Sequence, residues 1–254
     1  MKRSVLCIFM IAFFVLFSSC GNSGRKHKKE KTVEKTSIVN KKKKMDIDLN
    51  LSSKTKVMSG TEIFKRYNSA VFMIFTSDGY HTFQGSGFFI SSDGIAVSNY
   101  HVFKGTSIGL ETIKLSSGEQ LNVEDIIVKS EDNDFIIFKV ATKEGKQFNY
   151  IPVASKSPSV GDKVYAIGSP RGLENTFSSG EVSQWRDENL MQISALIDHG
   201  SSGGALINEY GEVVGITSGT FYDGSQANLN YAWSIDVIKP VSYTHLTLPT
   251  IRLV

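Results

Sequence analysis

Apolar residues in this chain fall into short runs separated by turn signals, a spacing that predicts strands rather than long helices. Val71-Phe72-Met73-Ile74-Phe75 is a continuous apolar run and predicts a buried strand. The segment from Gly85 to Val102 reads as a strand, an Asp93-Gly94 turn and a second strand ending on His101. Phe135 to Val140 predicts another buried strand with Asp134 at its mouth, and Ala205-Leu206-Ile207 one entered from a glycine-rich turn. Turn signals at Asp78-Gly79, Asp93-Gly94, Ser117-Gly118, Ser159 to Asp162 and Tyr210-Gly211 recur at the spacing of an all-β barrel protein. One short helix is predicted, capped by Ser59 or Thr61, with Ile63, Phe64 and Tyr67 on one side.

The two ends have a different pattern. Met1-Lys2-Arg3-Ser4, the apolar run Val5 to Phe17 and Ser18-Ser19-Cys20 have the three parts of a secretory signal, with an apolar run too short for a comfortable membrane span. Small residues before Cys20 resemble a lipoprotein signal, in which Cys20 becomes the lipidated first residue of the mature chain; the alternative is an ordinary cleaved signal that contains Cys20. Cys7 leaves with the signal, so no disulfide is expected in the mature domain. Residues 21–56 are polar and lysine-rich, including Lys41 to Lys44; such a composition cannot bury a core and predicts a disordered basic tether. Beside an anionic leaflet that tether would add to a lipid anchor.

Composition narrows the chemistry. With 254 residues, 41% hydrophobic and 22 Gly, the chain can build a sizeable core, and a net charge of +3 supports no nucleic-acid role. It contains no CxxC pair, P-loop or metal-ligand cluster, so neither a cofactor nor a metal is expected. What remains is Asp198-His199-Gly200-Ser201-Ser202-Gly203-Gly204-Ala205. A serine between glycines in a tight turn can present its Oγ at a surface, and the N–H groups of Gly200 and Ser202 can converge on a developing oxyanion. Taken alone, the same stretch is equally a flexible surface loop. A serine becomes a nucleophile when a base takes its proton and a carboxylate orients the base. His101 and Asp134 stand at strand ends upstream, in the order His, Asp, Ser.

These blocks resemble those of the chymotrypsin-like serine proteases, and within them the bacterial HtrA/Deg branch. The residues that carry the likeness are Gly85 to Phe88, Asp93-Gly94, Asn99 to Val102, Asp134 to Ile137 and Gly200 to Leu206. Ala166 to Leu173 and Ser179 to Ser183 match further blocks, and the likeness runs from about Thr61 to Pro240. Ser201 stands where the family usually has Asn. The resemblance implies an all-β fold of two six-stranded antiparallel barrels, about 70–150 and 151–238, within a domain spanning 57–240, with the active site between them and a short N-terminal helix. It implies a serine endopeptidase with His101 as base, Asp134 as orienting carboxylate and Ser202 as nucleophile; Asp132 competes with Asp134, and Ser201 with Ser202.

By the same resemblance, Leu196, Ile197, Thr217, Ser218, Gly219 and Thr220 bind substrate. None of them offers a carboxylate for Lys or Arg, so an apolar pocket for small or medium aliphatic side chains is expected, with the substrate backbone pairing along 218–220. Segments 172–179 and 221–230 match the family's activation loops. The expected setting is the bacterial cell envelope, membrane-anchored through Cys20, with unfolded or misfolded polypeptides as substrates and homo-oligomerisation left open. A narrow-target processing protease and a catalytically silent binding module are the alternatives. Residues 241–254 depart from the family's continuation and read as an artefact of a truncated end.

Overall fold

A computed structural model describes residues 49, 51–107, 109–169, 175–220 and 229–239. The signal and lipidation expected at 1–20, most of the tether, the tail at 241–254 and the loop residues 172–174 and 221–228 lie outside the described residues.

The helix α1 (Gly60–Tyr67) starts where its cap predicts. Ser59, not Thr61, is the N-cap: its Oγ accepts from the Glu62 N–H at 3.3 Å, while the Glu62 carboxylate accepts from the Ser59 N–H at 2.7 Å. The Ser59 N–H and the Ser59 hydroxyl, which also donates to Glu62 Oε2 at 2.8 Å, hold the Glu62 carboxyl below its usual range. Ile63 and Tyr67 are buried and Phe64 packs partly beside them.

Strands β2 (Val71–Ser77), β3 (Thr82–Phe89), β4 (Ile95–Ser98), β5 (Thr112–Lys114), β6 (Gln120–Ser130) and β7 (Phe135–Val140) form a closed barrel in the order β2-β3-β4-β7-β6-β5. The second sheet contains β9 (Lys163–Gly168), β10 (Thr176–Trp185), β11 (Leu190–Ile193), β12 (Ala205–Asn208), β13 (Val213–Thr220) and β14 (Asn230–Ser234). Its order β13-β12-β9-β10-β11-β14 closes through a direct β13–β14 pairing. The fold is therefore the predicted pair of six-stranded antiparallel barrels with one short helix.

Period-two alternation explains the continuous apolar runs. In β7, Ile136, Phe138 and Val140 point into the first barrel, while Phe135 and Ile137 join a separate cluster that includes Tyr165, Ile167, Ala205 and Ile216 of the second. Both faces of the strand are thus buried, one inside its barrel and one between barrels. Each such side chain contributes about 1.5–3 kcal/mol, and the shared cluster is what fixes one barrel against the other. Strand-end residues facing that seam are held in register.

The segment leading into the helix departs from expectation. Leu51–Ser52, assigned by composition to the disordered tether, form a short strand β1 parallel to β8 (Val153–Ala154), which in turn pairs parallel with β13 at Val213. Leu49 is buried in the inter-barrel cluster. The ordered part therefore begins before residue 57, anchored by one apolar side chain and a backbone ladder rather than by a hydrophobic pattern.

Candidate active site

His101 follows β4 in a single 3-10 turn, Tyr100–Val102. Asp134 closes the turn before β7, its N–H donating to the Glu131 carbonyl at 3.2 Å. β4 and β7 are paired neighbours, with Ser98 opposite Ile136, so their adjoining ends bring the two residues together. His101 Nδ1 lies 2.8 Å from Asp134 Oδ2, and the His101 backbone N–H donates to Asp134 Oδ1 at 2.9 Å. Ser218 Oγ, from the second barrel, donates to Oδ2 at 3.1 Å. The carboxylate thus accepts from three donors and is fixed in plane and orientation. Asp134, rather than Asp132, faces the histidine.

This placement carries local strain. Asp134 is the one non-glycine residue with positive φ among the described residues, at 44°. A left-handed backbone costs a side-chain-bearing residue about 1–3 kcal/mol and persists only where surroundings enforce it. Buried Asn99 helps to enforce it: its Nδ2 donates to the Asp134 carbonyl at 2.8 Å, while its Oδ1 has no partner.

The glycine turn is equally specified. Ser201 N–H donates to the Asp198 carbonyl at 2.9 Å, and Gly200 has φ 92°, the positive value that a type II turn requires at its third residue. A Cβ at Gly200 would meet Gln84 Oε1 at 2.5 Å and the Ser169 carbonyl at 2.9 Å. Gly203 (φ 87°) leaves even less room: a Cβ there would stand 2.2 Å from both the Ser86 carbonyl and Ser98 Oγ. Only glycine lets the turn approach the first barrel so closely. Among the described residues, the N–H groups of Gly200 and Ser202 donate to no acceptor, which leaves them for an oxyanion.

Ser201 is buried against Gly168, whereas Ser202 is half-buried, with its Oγ 3.5 Å from where a Cβ on Gly219 would stand. The Ser202 carbonyl accepts from the Ser86 N–H at 2.8 Å, tying the turn to the first barrel. Strand β13 completes the assembly, with Gly219 beside Ser202 and Ser218 on Asp134. Among the described residues no hydrogen bond joins the His101 ring to Ser202 Oγ. Such bonds are commonly long in an empty site and tighten around substrate.

The six positions assigned to substrate divide. Leu196 is 68% exposed, with its carbonyl bonded to Ser178 Oγ, while the Ile197 side chain packs inside the second barrel. Thr217 is buried, and its Oγ1 donates to the Ser201 carbonyl at 2.7 Å. That carbonyl and the Ser202 N–H belong to one peptide, so Thr217 sets the orientation of that peptide. The Ser218 hydroxyl is bonded to Asp134. Gly219 and Thr220 pair on one side with Tyr231 and Asn230, while the β12 ladder stops at Ile216, leaving the opposite edge without a strand among the described residues. A peptide can add there.

Sequence reasoning gave no role to the Ser218, Thr217 and Ser86 hydroxyls, although each stands in a quoted motif. Their partners lie on other elements, so no local spacing announces them. Of the other histidines, His81 is exposed and pairs with Asp78 at 3.1 Å on the β2–β3 hairpin, His199 is exposed beside the turn, and His27 and His245 lie outside the described residues. Among the described residues no group of three His, Cys, Asp or Glu could hold a metal ion.

Comparison with known proteins agrees with this geometry. Residues 85–216, more than half of the chain, match the family described as "Trypsin-like peptidase domain". The "Probable periplasmic serine endoprotease DegP-like" of Rhizobium meliloti is 35% identical over 167 residues, covering 62% of this chain and 32% of that protein. "Protease Do-like 5, chloroplastic" of Arabidopsis thaliana is 34% identical over 182 residues, covering 63% of this chain and 56% of the relative. The chain thus spans about a third to about half the length of these relatives. A crystal structure of a serine endoprotease from Yersinia pestis shares the fold, with TM-score 0.65 and 24% identity over 76% of this chain and 68% of that one.

Proposed function

This chain belongs to the trypsin-like peptidase family, and on that premise we propose that it is a serine endopeptidase acting through His101, Asp134 and Ser202. The observation that carries the reading is the His101–Asp134 pair, closed at 2.8 Å, next to a serine whose turn leaves two N–H groups for an oxyanion. Ser202 Oγ attacks the scissile carbonyl carbon, and His101 Nε2 takes its proton. The resulting oxyanion is held by the Gly200 and Ser202 N–H groups. As the tetrahedral adduct collapses, the C–N bond breaks and His101 gives the proton to the leaving amine. Water then attacks the acyl-enzyme by the same route, the acid product leaves, and Ser202 regains its proton. Asp134 keeps the imidazole proton on Nδ1 and stabilises the imidazolium.

The substrates are unfolded polypeptides in the bacterial envelope, in keeping with the periplasmic designation of the DegP-like relatives. An extended chain suits the edge of β13 at 218–220, which has no partner strand among the described residues, because it offers main-chain hydrogen bonds in any sequence. Leu196 and the absence of a carboxylate among the pocket positions favour small or medium aliphatic residues before the scissile bond. Cys20 carries a lipid that holds the chain at the membrane, and Cys20→Ser would release it from the membrane fraction. The direct test compares the full chain with Ser202→Ala on unfolded casein and on a folded protein. Casein peptides that end on aliphatic residues and vanish in the variant support the reading. Equal cleavage after Arg and Val contradicts the pocket, and no serine-dependent cleavage contradicts the function.

A further inference from the structure

Ser86 is wholly buried on β3, where the first barrel meets the nucleophile turn. All its polar groups are engaged. Its N–H donates to the Ser202 carbonyl at 2.8 Å, and its carbonyl accepts from Ser98 Oγ at 2.7 Å. Its Oγ donates to the Gly200 carbonyl at 2.7 Å and accepts from the Ser169 N–H at 2.9 Å. The backbone contacts need only a strand residue of any kind; the two Oγ contacts need a hydroxyl, since no other group of that size both donates and accepts.

The Oγ contacts act on one peptide. The carbonyl of the Gly200–Ser201 peptide is held by Ser86, and its N–H is held by the Asp198 carbonyl. A peptide plane pinned at both ends cannot swing. The N–H groups of Gly200 and Ser202 lie on the peptides flanking it, so their directions follow from its setting. Gln84 Nε2 reaches the same carbonyl only at 3.5 Å and is committed to the Ser169 carbonyl at 2.7 Å. Without the hydroxyl, the part-buried Gly200 carbonyl keeps only the long Gln84 contact and the buried Ser169 N–H loses its partner, and rotation of the turn is the way to recover one.

We propose that the Ser86 hydroxyl is a positioning group for the oxyanion hole: it locks the Gly200–Ser201 peptide and thereby aims the Gly200 and Ser202 N–H groups. The inference rests on the peptidase reading above. Ser86 itself touches neither substrate nor the reacting atoms, so its effect falls on the transition state and spares substrate binding.

The test measures kcat and KM on a fluorogenic aliphatic peptide for the full chain, Ser86→Ala, Ser86→Thr and the inactive Ser202→Ala baseline. It adds inhibition constants for the matching peptide aldehyde, which forms a tetrahedral oxyanion, and for the carboxylate product, which does not. Removing an oxyanion donor outright costs about 100- to 1,000-fold in kcat; misaiming one should cost about 10- to 100-fold. Ser86→Ala is expected to lose that much kcat and a parallel share of aldehyde affinity, with KM and product affinity within about twofold. Ser86→Thr, which keeps the hydroxyl on a strand-compatible side chain, restores kcat. Should the alanine variant fail to fold, Ser86→Cys fills the same space with a weak donor and is expected to show the same split. Unchanged kcat in a folded variant overturns the proposal. A loss shared equally by kcat, KM and product affinity also overturns it, by marking Ser86 as structural. Wild-type turnover no higher than that of Ser202→Ala overturns the peptidase reading and this inference with it.

Discussion

Replacing Asp134 by Asn tests the orientation of the base with almost no change of shape. The His101 backbone N–H donates to Oδ1 at 2.9 Å, and a backbone N–H cannot reverse its role. The amide must therefore leave its oxygen there and turn its NH2 toward His101 Nδ1, where Oδ2 now stands at 2.8 Å. Two donors facing each other are untenable, so the imidazole proton moves to Nε2 and the nitrogen facing Ser202 becomes a donor. Ser218 Oγ accommodates the exchange by accepting instead of donating. A base presenting N–H cannot take a proton. The expected loss is about ten-thousand-fold in kcat, the size known when a triad carboxylate is amidated, or about 5 kcal/mol of transition-state stabilisation. The assay is kcat/KM on a fluorogenic peptide for wild type, Asp134→Asn and Asp132→Asn, with thermal melts to show that each chain is folded. Asp132→Asn should match wild type. An Asp134→Asn chain that keeps more than about a tenth of wild-type activity would refute the orientation argument.

Three further outcomes follow from the same geometry. Gly200→Ala forces a side chain onto φ 92° and into Gln84 and the Ser169 carbonyl; kcat should fall about 100- to 1,000-fold, as for loss of an oxyanion donor, and a variant with wild-type kcat would contradict the turn. Ser218→Ala removes one of three donors to the Asp134 carboxylate; a net loss of about 1 kcal/mol should lower kcat about fivefold, and a loss as large as that of Asp134→Asn would give Ser218 a different role. The Asp78 carboxyl is lowered to about 2 by the backbone N–H groups of His81 and Tyr80 and by the His81 side chain. A depressed carboxyl pKa stabilises the fold above its unfolded value of about 3.9 and loses that effect as pH falls through the folded value. The melting-temperature gap between wild type and Asp78→Ala should therefore hold above about pH 4 and close by about pH 2; a gap unchanged over that window would refute the assignment.

How much of this was legible in the sequence depends on where each partner lies. Phe135 to Val140 announced a buried strand because both its faces are covered, and Asp134 and His101 stand at strand ends whose pairing follows from the barrel. Gly200 and Gly203 were legible as turn residues because no other residue has their conformational range. Thr217 and Ser218 were read only as substrate-binding positions, and their hydroxyl partners were not legible, since a strand's alternation says which face a residue is on but not which distant loop lies against that face. Ser86 was visible inside its glycine motif, yet its side-chain partners are 114 and 83 residues away in sequence. β1 left no trace: Leu51 is exposed, and two residues of backbone pairing set up no hydrophobic period. Local signals thus gave the frame, and the hydroxyls that tension it became apparent only in three dimensions.

The central claim is that Ser202 is an activated nucleophile, and the most direct measurement is the intact mass of the full chain after reaction with a fluorophosphonate, beside Ser202→Ala. One adduct on the wild-type chain, mapped to Ser202 and missing from the variant, is the predicted result. A folded wild-type chain that stays unlabelled in the presence of unfolded substrate, or that labels equally in both proteins, would contradict it.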